Sequence, residues 1–213
     1  MVESSNDFHV ESDIQQLRWS TVQSLRWRKG DISYGTNLFG KILLCRKRLV
    51  LTNEPLDILS EGTAYHEKEM MMLYENICKR FSCHNFAHLY CHFIEESHLC
   101  LVNDYVPFNL ISWRSCSPTE NDIKGCIAQL FFIAGYMILS NFYHGDMNGT
   151  NVLVKPLETR TDLFYTYFDE KFCLRNQAYI FMPIDFEKAS TNFNTDRIKY
   201  EWEQILNRIN YFL

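Results

Sequence analysis

The feature that most constrains the fold of this chain is a change of hydrophobic period part-way along it. Up to about residue 103 the apolar residues come in short runs broken by glycine and turn formers, which is the pattern of strands. Residues 25–28, 32–39 and 42–51 form three such runs, with Gly30-Asp31 and Gly40-Lys41 as the turns between them. A helix is predicted over 64–80 with Met72, Leu73 and Ile77 along one face, then two strands over 87–95 and 98–103. Beyond residues 104–107 the pattern becomes helical. Pro118 and the carboxylates of Glu120 and Asp122 suit the start of a long helix over 119–143, and its apolar content around Phe131, Phe132 and Ile138 puts that helix at the centre of a second lobe. Short strands at 151–155 and 178–184 flank an insert carrying Tyr165, Tyr167, Phe168 and Phe172, and 196–213 reads as a last helix. The expected architecture is therefore an α+β fold of two lobes. A tail and lead-in occupy 1–24, a strand-rich N-lobe 25–103, a hinge 104–106, and a shortened, mainly helical C-lobe 107–213.

Composition narrows the function classes. Of 213 residues 46% are hydrophobic and 15% aromatic, too much apolar surface for a disordered chain. Twenty-one Lys and Arg against 26 Asp and Glu leave a net charge of -5, so no broad nucleic-acid surface is expected. Residues 1–16 are acidic and polar, unlike a secretory leader or a transit segment. The most apolar run, 127–139, is short and interrupted by Gln129 and Gly135, so no membrane insertion is expected and the location reads as intracellular. The eight cysteines are scattered as in a reduced protein, and Cys78, Cys83, His84, His88, Cys91 and His92 match no paired metal-ligand spacing.

The chemistry concentrates in two places. His144-Gly-Asp146-Met-Asn-Gly-Thr-Asn151 follows the long helix directly, and an apolar stretch from Tyr179 leads into Asp185-Phe186. Phosphoryl transfer from ATP needs a carboxylate at the accepting hydroxyl and oxygen ligands that hold Mg2+ across the phosphates. Asp146 suits the first role, and Asn151 and Asp185 suit the second. Upstream, strand alternation puts Cys45 and Lys47 on one face and Arg46 and Arg48 on the other. A lysine there can hold phosphates; a one-residue slip would present Arg46 or Arg48 instead.

These residues resemble the protein-kinase-like superfamily, and the compact chain is similar to serine/threonine kinases of large DNA viruses, with a haspin-like gap before Asp185. The resemblance implies ATP and Mg2+ as cofactors. It implies Asp146 as the catalytic aspartate, Asn151 and Asp185 as metal ligands, and His144 as a structural pin of the loop. Leu44-Cys45-Arg46-Lys47 resembles the family's Val-Ala-x-Lys strand, giving Lys47 the α- and β-phosphates, with Glu69 as its partner and Glu67 as the alternative. Gly30-Asp-Ile-Ser-Tyr-Gly35 resembles the phosphate-covering Gly-x-Gly-x-x-Gly loop, a second frame being Gly35 to Gly40. Leu99 to Val106 resembles the strand entering the hinge, so that Asn103 controls the rear pocket and the backbones of Asp104 and Val106 hold adenine.

The chain departs from the family at three points. Asn148 stands where lysine is usual, Glu187 replaces the glycine after Asp185-Phe186, and no Ala-Pro-Glu-like segment follows. The expected function is Mg-ATP-dependent transfer to serine or threonine hydroxyls of a protein. A protein substrate or regulatory protein is then the partner, in host cytoplasm or nucleus if the chain is viral. The alternatives are a noncatalytic kinase-like binding or decoy protein, and a small-molecule phosphotransferase of the His-Gly-Asp type.

Overall fold

A computed structural model describes residues 17–25, 30–36, 42–51 and 63–192, and beyond them 194, 196, 199, 200, 202, 203 and 206. The Gly40-Lys41 turn, the Gly35-to-Gly40 frame beyond Thr36 and the tail before Leu17 lie outside these residues. The fold is mixed α+β, with two sheets and three helices named among the described residues: β1 (Arg18–Leu25), β2 (Gly30–Thr36), β3 (Ile42–Val50), α1 (Ala64–Arg80), β4 (Leu89–Glu95), β5 (His98–Asp104), β6 (Phe108–Asn109), α2 (Leu110–Arg114), α3 (Glu120–Leu139), β7 (Val152–Tyr167) and β8 (Glu170–Pro183). A short 3-10 helix, Phe186–Lys188, follows β8. The chain divides into two compact units. One holds the described residues before 55 with His88–Tyr105; the other holds those from 63 to Ala87 with Val106 onward.

The first unit is one antiparallel sheet in the order β1-β2-β3-β5-β4. Its centre is the run Leu99-Cys100-Leu101-Val102 with Leu49, all at most 1% exposed, as expected of a strand covered on both faces. The lead-in is not featureless, because β1 begins at Arg18 inside the stretch read as 1–24. Gly30 and Asp31 start β2 and pair with β1, so they are strand and not turn. Arg46 and Arg48 occupy one face of β3: Arg48 meets Asp31 at 3.2 Å and Glu95 at 3.4 Å, and Arg46 lies 4.8 Å from the centre of the Trp19 ring.

In the second unit, Thr63 caps α1 by accepting from the His66 N–H at 3.1 Å. The buried face of α1 runs through Glu67, Met71, Tyr74, Ile77 and Cys78; Ile77 lies on it as expected, whereas Met72 is 39% exposed and Met71 takes the inward place. Helix α3 opens on a capping box between Thr119 and Asp122. It ends at Leu139, short of the predicted Tyr143, because Asn141 takes a φ of 49° and turns Phe142 and Tyr143 into the core. Phe131 and Ile138 lie on the open side at 56% and 40% exposure, and the buried face is Leu130, Ile133, Tyr136 and Met137.

The expected insert between two short strands is itself sheet. Strands β7 and β8 form one long antiparallel hairpin, turning at Phe168-Asp169, with β6 on its other edge. Gln129 joins α3 to this hairpin. Its Oε1 accepts from Asn85 Nδ2 at 2.9 Å and Phe181 N at 3.2 Å, and its Nε2 donates to the Tyr179 carbonyl at 2.9 Å. By length and composition alone α3 could cross a membrane. The fully buried, fully bonded Gln129 makes it the core helix of this unit. Described positions 196, 199, 200, 202, 203 and 206 are helical; the rest of the predicted last helix lies outside the described residues.

Candidate functional site

Two adjacent segments of the second unit carry the candidate chemistry. The first is the loop from His144 to Asn151, entered from the end of α3. The second is the turn after β8, where Asp185 adopts the left-handed conformation (φ 67°, ψ 63°) and starts the 3-10 helix. Backbone bonds clamp them together. Tyr143 and Ser190 exchange N–H···O bonds of 3.0 Å, and the Ile184 N–H donates to the Asn151 carbonyl at 2.9 Å. The approach is close enough to require glycine at 145: its φ is 83°, and a Cβ there would run into the Lys188 carbonyl.

His144 fills the space between the segments with no exposed surface. Its Nε2 donates to the Ile184 carbonyl at 2.8 Å and its Nδ1 accepts from the Asp146 N–H at 3.3 Å, which fixes one neutral tautomer. Burial pulls its pKa down to about 4, against the pull of the Ile184 carbonyl and of Asp185 and Asp146. It is a pin for the loop, out of reach of a substrate. Phe186 packs beside it at 4.8 Å between ring centres and reaches Tyr74 of α1 at 5.0 Å.

Asp146 is held by its neighbours with its carboxylate at the surface. The Asn151 Nδ2 donates to its carbonyl at 3.0 Å, and the Asn148 Nδ2 donates to that carbonyl at 3.2 Å and to Oδ1 at 3.3 Å. Lys188 Nζ donates to Oδ2 at 3.0 Å, and that bond raises the lysine's pKa. Thus Asp146 and Asn151 sit in one hydrogen-bonded framework, which Ile184, the residue before Asp185, joins through its N–H. Asn151 serves it through its backbone carbonyl and amide nitrogen.

A carboxylate cluster stands on the same turn. Oxygens of Glu67, Asp185 and Glu187 all lie within 4.8 Å of one another and can hold a metal ion. Glu67 is only 3% exposed, while the adjacent His66 Nε2 meets the Ala189 carbonyl at 2.8 Å, fixing this end of α1 against the turn. Glu69, the residue chosen from the sequence, is 44% exposed at its side chain and pairs with Lys68 at 2.8 Å. The helix phase could have found Glu67, since it precedes Met71 and Tyr74 by four and seven residues. Lys188 carried no motif signal, and only the fold brings it to Asp146.

The other predicted residues belong to the first unit, apart from Val106. In the first unit Lys47 sits on β3 opposite Ile32 and Leu101, on the face it shares with Cys45 and Asn103. Burial raises the Cys45 thiol to about 11 while Lys47 draws it down, consistent with that shared face. The Asn103 Oδ1 is buried and lacks a hydrogen-bond partner among the described residues. Gly30 and Gly35 do not form a phosphate-covering loop. Both lie in β2, and Gly35 pairs with Trp19 and Leu44 on its two sides. A Cβ at Gly35 would stand 3.1 Å from the Trp19 ring, so the glycine admits that ring. The backbone N–H of Asp104 donates to the His88 carbonyl at 3.2 Å and is not offered to a base; its carboxylate accepts from His88 N and Tyr90 OH, each at 3.0 Å. Val106 belongs to the second unit and is buried. No family model matches this sequence, and no curated protein matches it either.

Proposed function

We propose that this chain transfers a phosphoryl group from Mg2+-bound ATP to a serine or threonine hydroxyl of a protein. The observation that carries the reading is the clamp between the His144–Asn151 loop and the Asp185 turn, which keeps a surface carboxylate and a carboxylate cluster in fixed relation. Hard oxygen donors suit Mg2+, and Glu67, Asp185 and Glu187 are the residues that would hold it. The ion would offset phosphate charge there. Asp146, oriented by Asn148 and Asn151, aligns the acceptor hydroxyl and takes its proton. The role of Lys47 as phosphate ligand and the protein acceptor both rest on the family resemblance alone.

Calorimetric titration and phosphate incorporation test the proposal together. Asp185→Ala is expected to lose most of its Mg2+-dependent ATP affinity. Asp146→Asn should bind Mg-ATP as the wild type does and transfer about 10²–10⁴-fold more slowly. Equal transfer by Asp146→Asn and the wild type would reject the catalytic assignment. Binding without transfer under any condition favours the second reading, a kinase-like protein that binds without catalysis. Its specific support is the position of Gly30 and Gly35 inside a paired strand.

A further inference from the structure

The loop carrying Asp146 brings no cation of its own, because residues 144–151 contain neither lysine nor arginine and Asn148 occupies the position where the resemblance expects lysine. Asn148 instead braces the loop: its Nδ2 holds Asp146, and its Oδ1 accepts from the Thr150 N–H at 2.9 Å. A cation arrives from the other segment. Lys188, three residues past Asp185, places its Nζ 3.0 Å from Asp146 Oδ2. Its backbone is fixed by the close approach to Gly145, while its side chain remains 54% exposed. The anchor is rigid and the ammonium end is accessible.

We propose that Lys188 is the cation of the transfer step, holding the Asp146 carboxylate and contacting the terminal phosphoryl group of bound ATP. The inference rests on the phosphotransferase reading. In that step the bond from the terminal phosphorus to the bridging oxygen breaks, its electron pair leaving with ADP. The acceptor's hydroxyl oxygen bonds to phosphorus, and the hydroxyl proton passes to Asp146. Lys188 keeps its protons throughout and offsets negative charge on the transferring oxygens. A lysine at 148 and a lysine at 188 would bring the same ammonium to the same carboxylate, so one should replace the other.

The test uses the full chain as wild type, Lys188→Ala and the double variant Lys188→Ala/Asn148→Lys. Dephosphorylated casein is the acceptor for kcat, and calorimetry gives affinities for Mg-ATP and Mg-ADP. Lys188→Ala should lower kcat about 10²-fold. It should weaken Mg-ATP binding several-fold and leave Mg-ADP binding unchanged, because ADP lacks the group Lys188 contacts. The double variant should recover much of both losses, which a merely structural lysine would not allow. Wild-type rates in Lys188→Ala, or equal loss of ATP and ADP affinity, would overturn the proposal while leaving the transferase reading intact. Selective loss of ATP affinity in a protein that never transfers phosphate would uphold the contact and remove the transferase reading. Failure of the wild type to bind either nucleotide would overturn both.

Discussion

The His144 imidazole is held neutral by its two partners, since a second proton would sit on Nδ1 against the Asp146 N–H. Its folded pKa, lowered by burial to about 4, lies below the ordinary value of 6.5. Between those values the unfolded chain binds a proton that the folded chain does not. The stabilisation is complete above about pH 6.5 and is lost as pH falls towards 4, about 3 kcal/mol in all. Urea unfolding at pH 4–7 should show that loss in the wild type relative to His144→Gln; parallel curves would contradict a neutral, buried imidazole. The pin was legible only through the resemblance of the His144-to-Asn151 loop to a kinase catalytic loop. The choice between Glu67 and Glu69 was not, because Met70, Met71 and Met72 are consecutive and leave the helix phase open by one residue. Burial of Tyr74 and Cys78 sets that phase and carries Glu67 to Asp185.

Between elements, the contact of α3 with the long hairpin shows why one part of the fold was readable and another was hidden. The helix announced itself by Pro118, the first-turn carboxylates of Glu120 and Asp122, and its apolar content. The hairpin did not, because its inward residues change parity along β7. Val152 and Val154 are buried at even positions, Leu163 and Tyr165 at odd ones, and register shifts between Pro156 and Leu163 flip the face. A single alternating template therefore fails across the strand. Where the elements meet, Gly135 of α3 faces the Tyr167 ring, and an added Cβ would stand 2.5 Å from Cε2. Helix propensity alone would make Gly135→Ala stabilising by about 1 kcal/mol. Overpacking a rigid ring reverses the sign, so Gly135→Ala should cost about 1–3 kcal/mol. A raised melting temperature in that variant would mean that the ring yields freely.

Across the whole chain, the division into two units separates α1 from the strands that flank it in sequence. Hydrophobic period announced strands followed by a long helix, and it could not say which sheet α1 would leave, since that depends on Tyr74 meeting Phe142 and Phe186 far along the chain. One consequence is that the carboxylate cluster joins distant stretches, Glu67 from α1 and Asp185 with Glu187 from the turn after β8. A divalent ion held there binds the folded chain and not the unfolded one, and so stabilises it by mass action. At ten times the dissociation constant the gain is about 1.4 kcal/mol. For a chain of this size that raises the melting temperature by roughly 3–6 °C. Glu67→Gln removes one charged ligand while keeping the volume of a buried side chain, so its response to Mg2+ should shrink. Thermal unfolding in MgCl2, against KCl of matched ionic strength, reads that response. An equal rise for wild type and Glu67→Gln, or a rise in KCl as large as in MgCl2, would place the ion's effect outside this cluster.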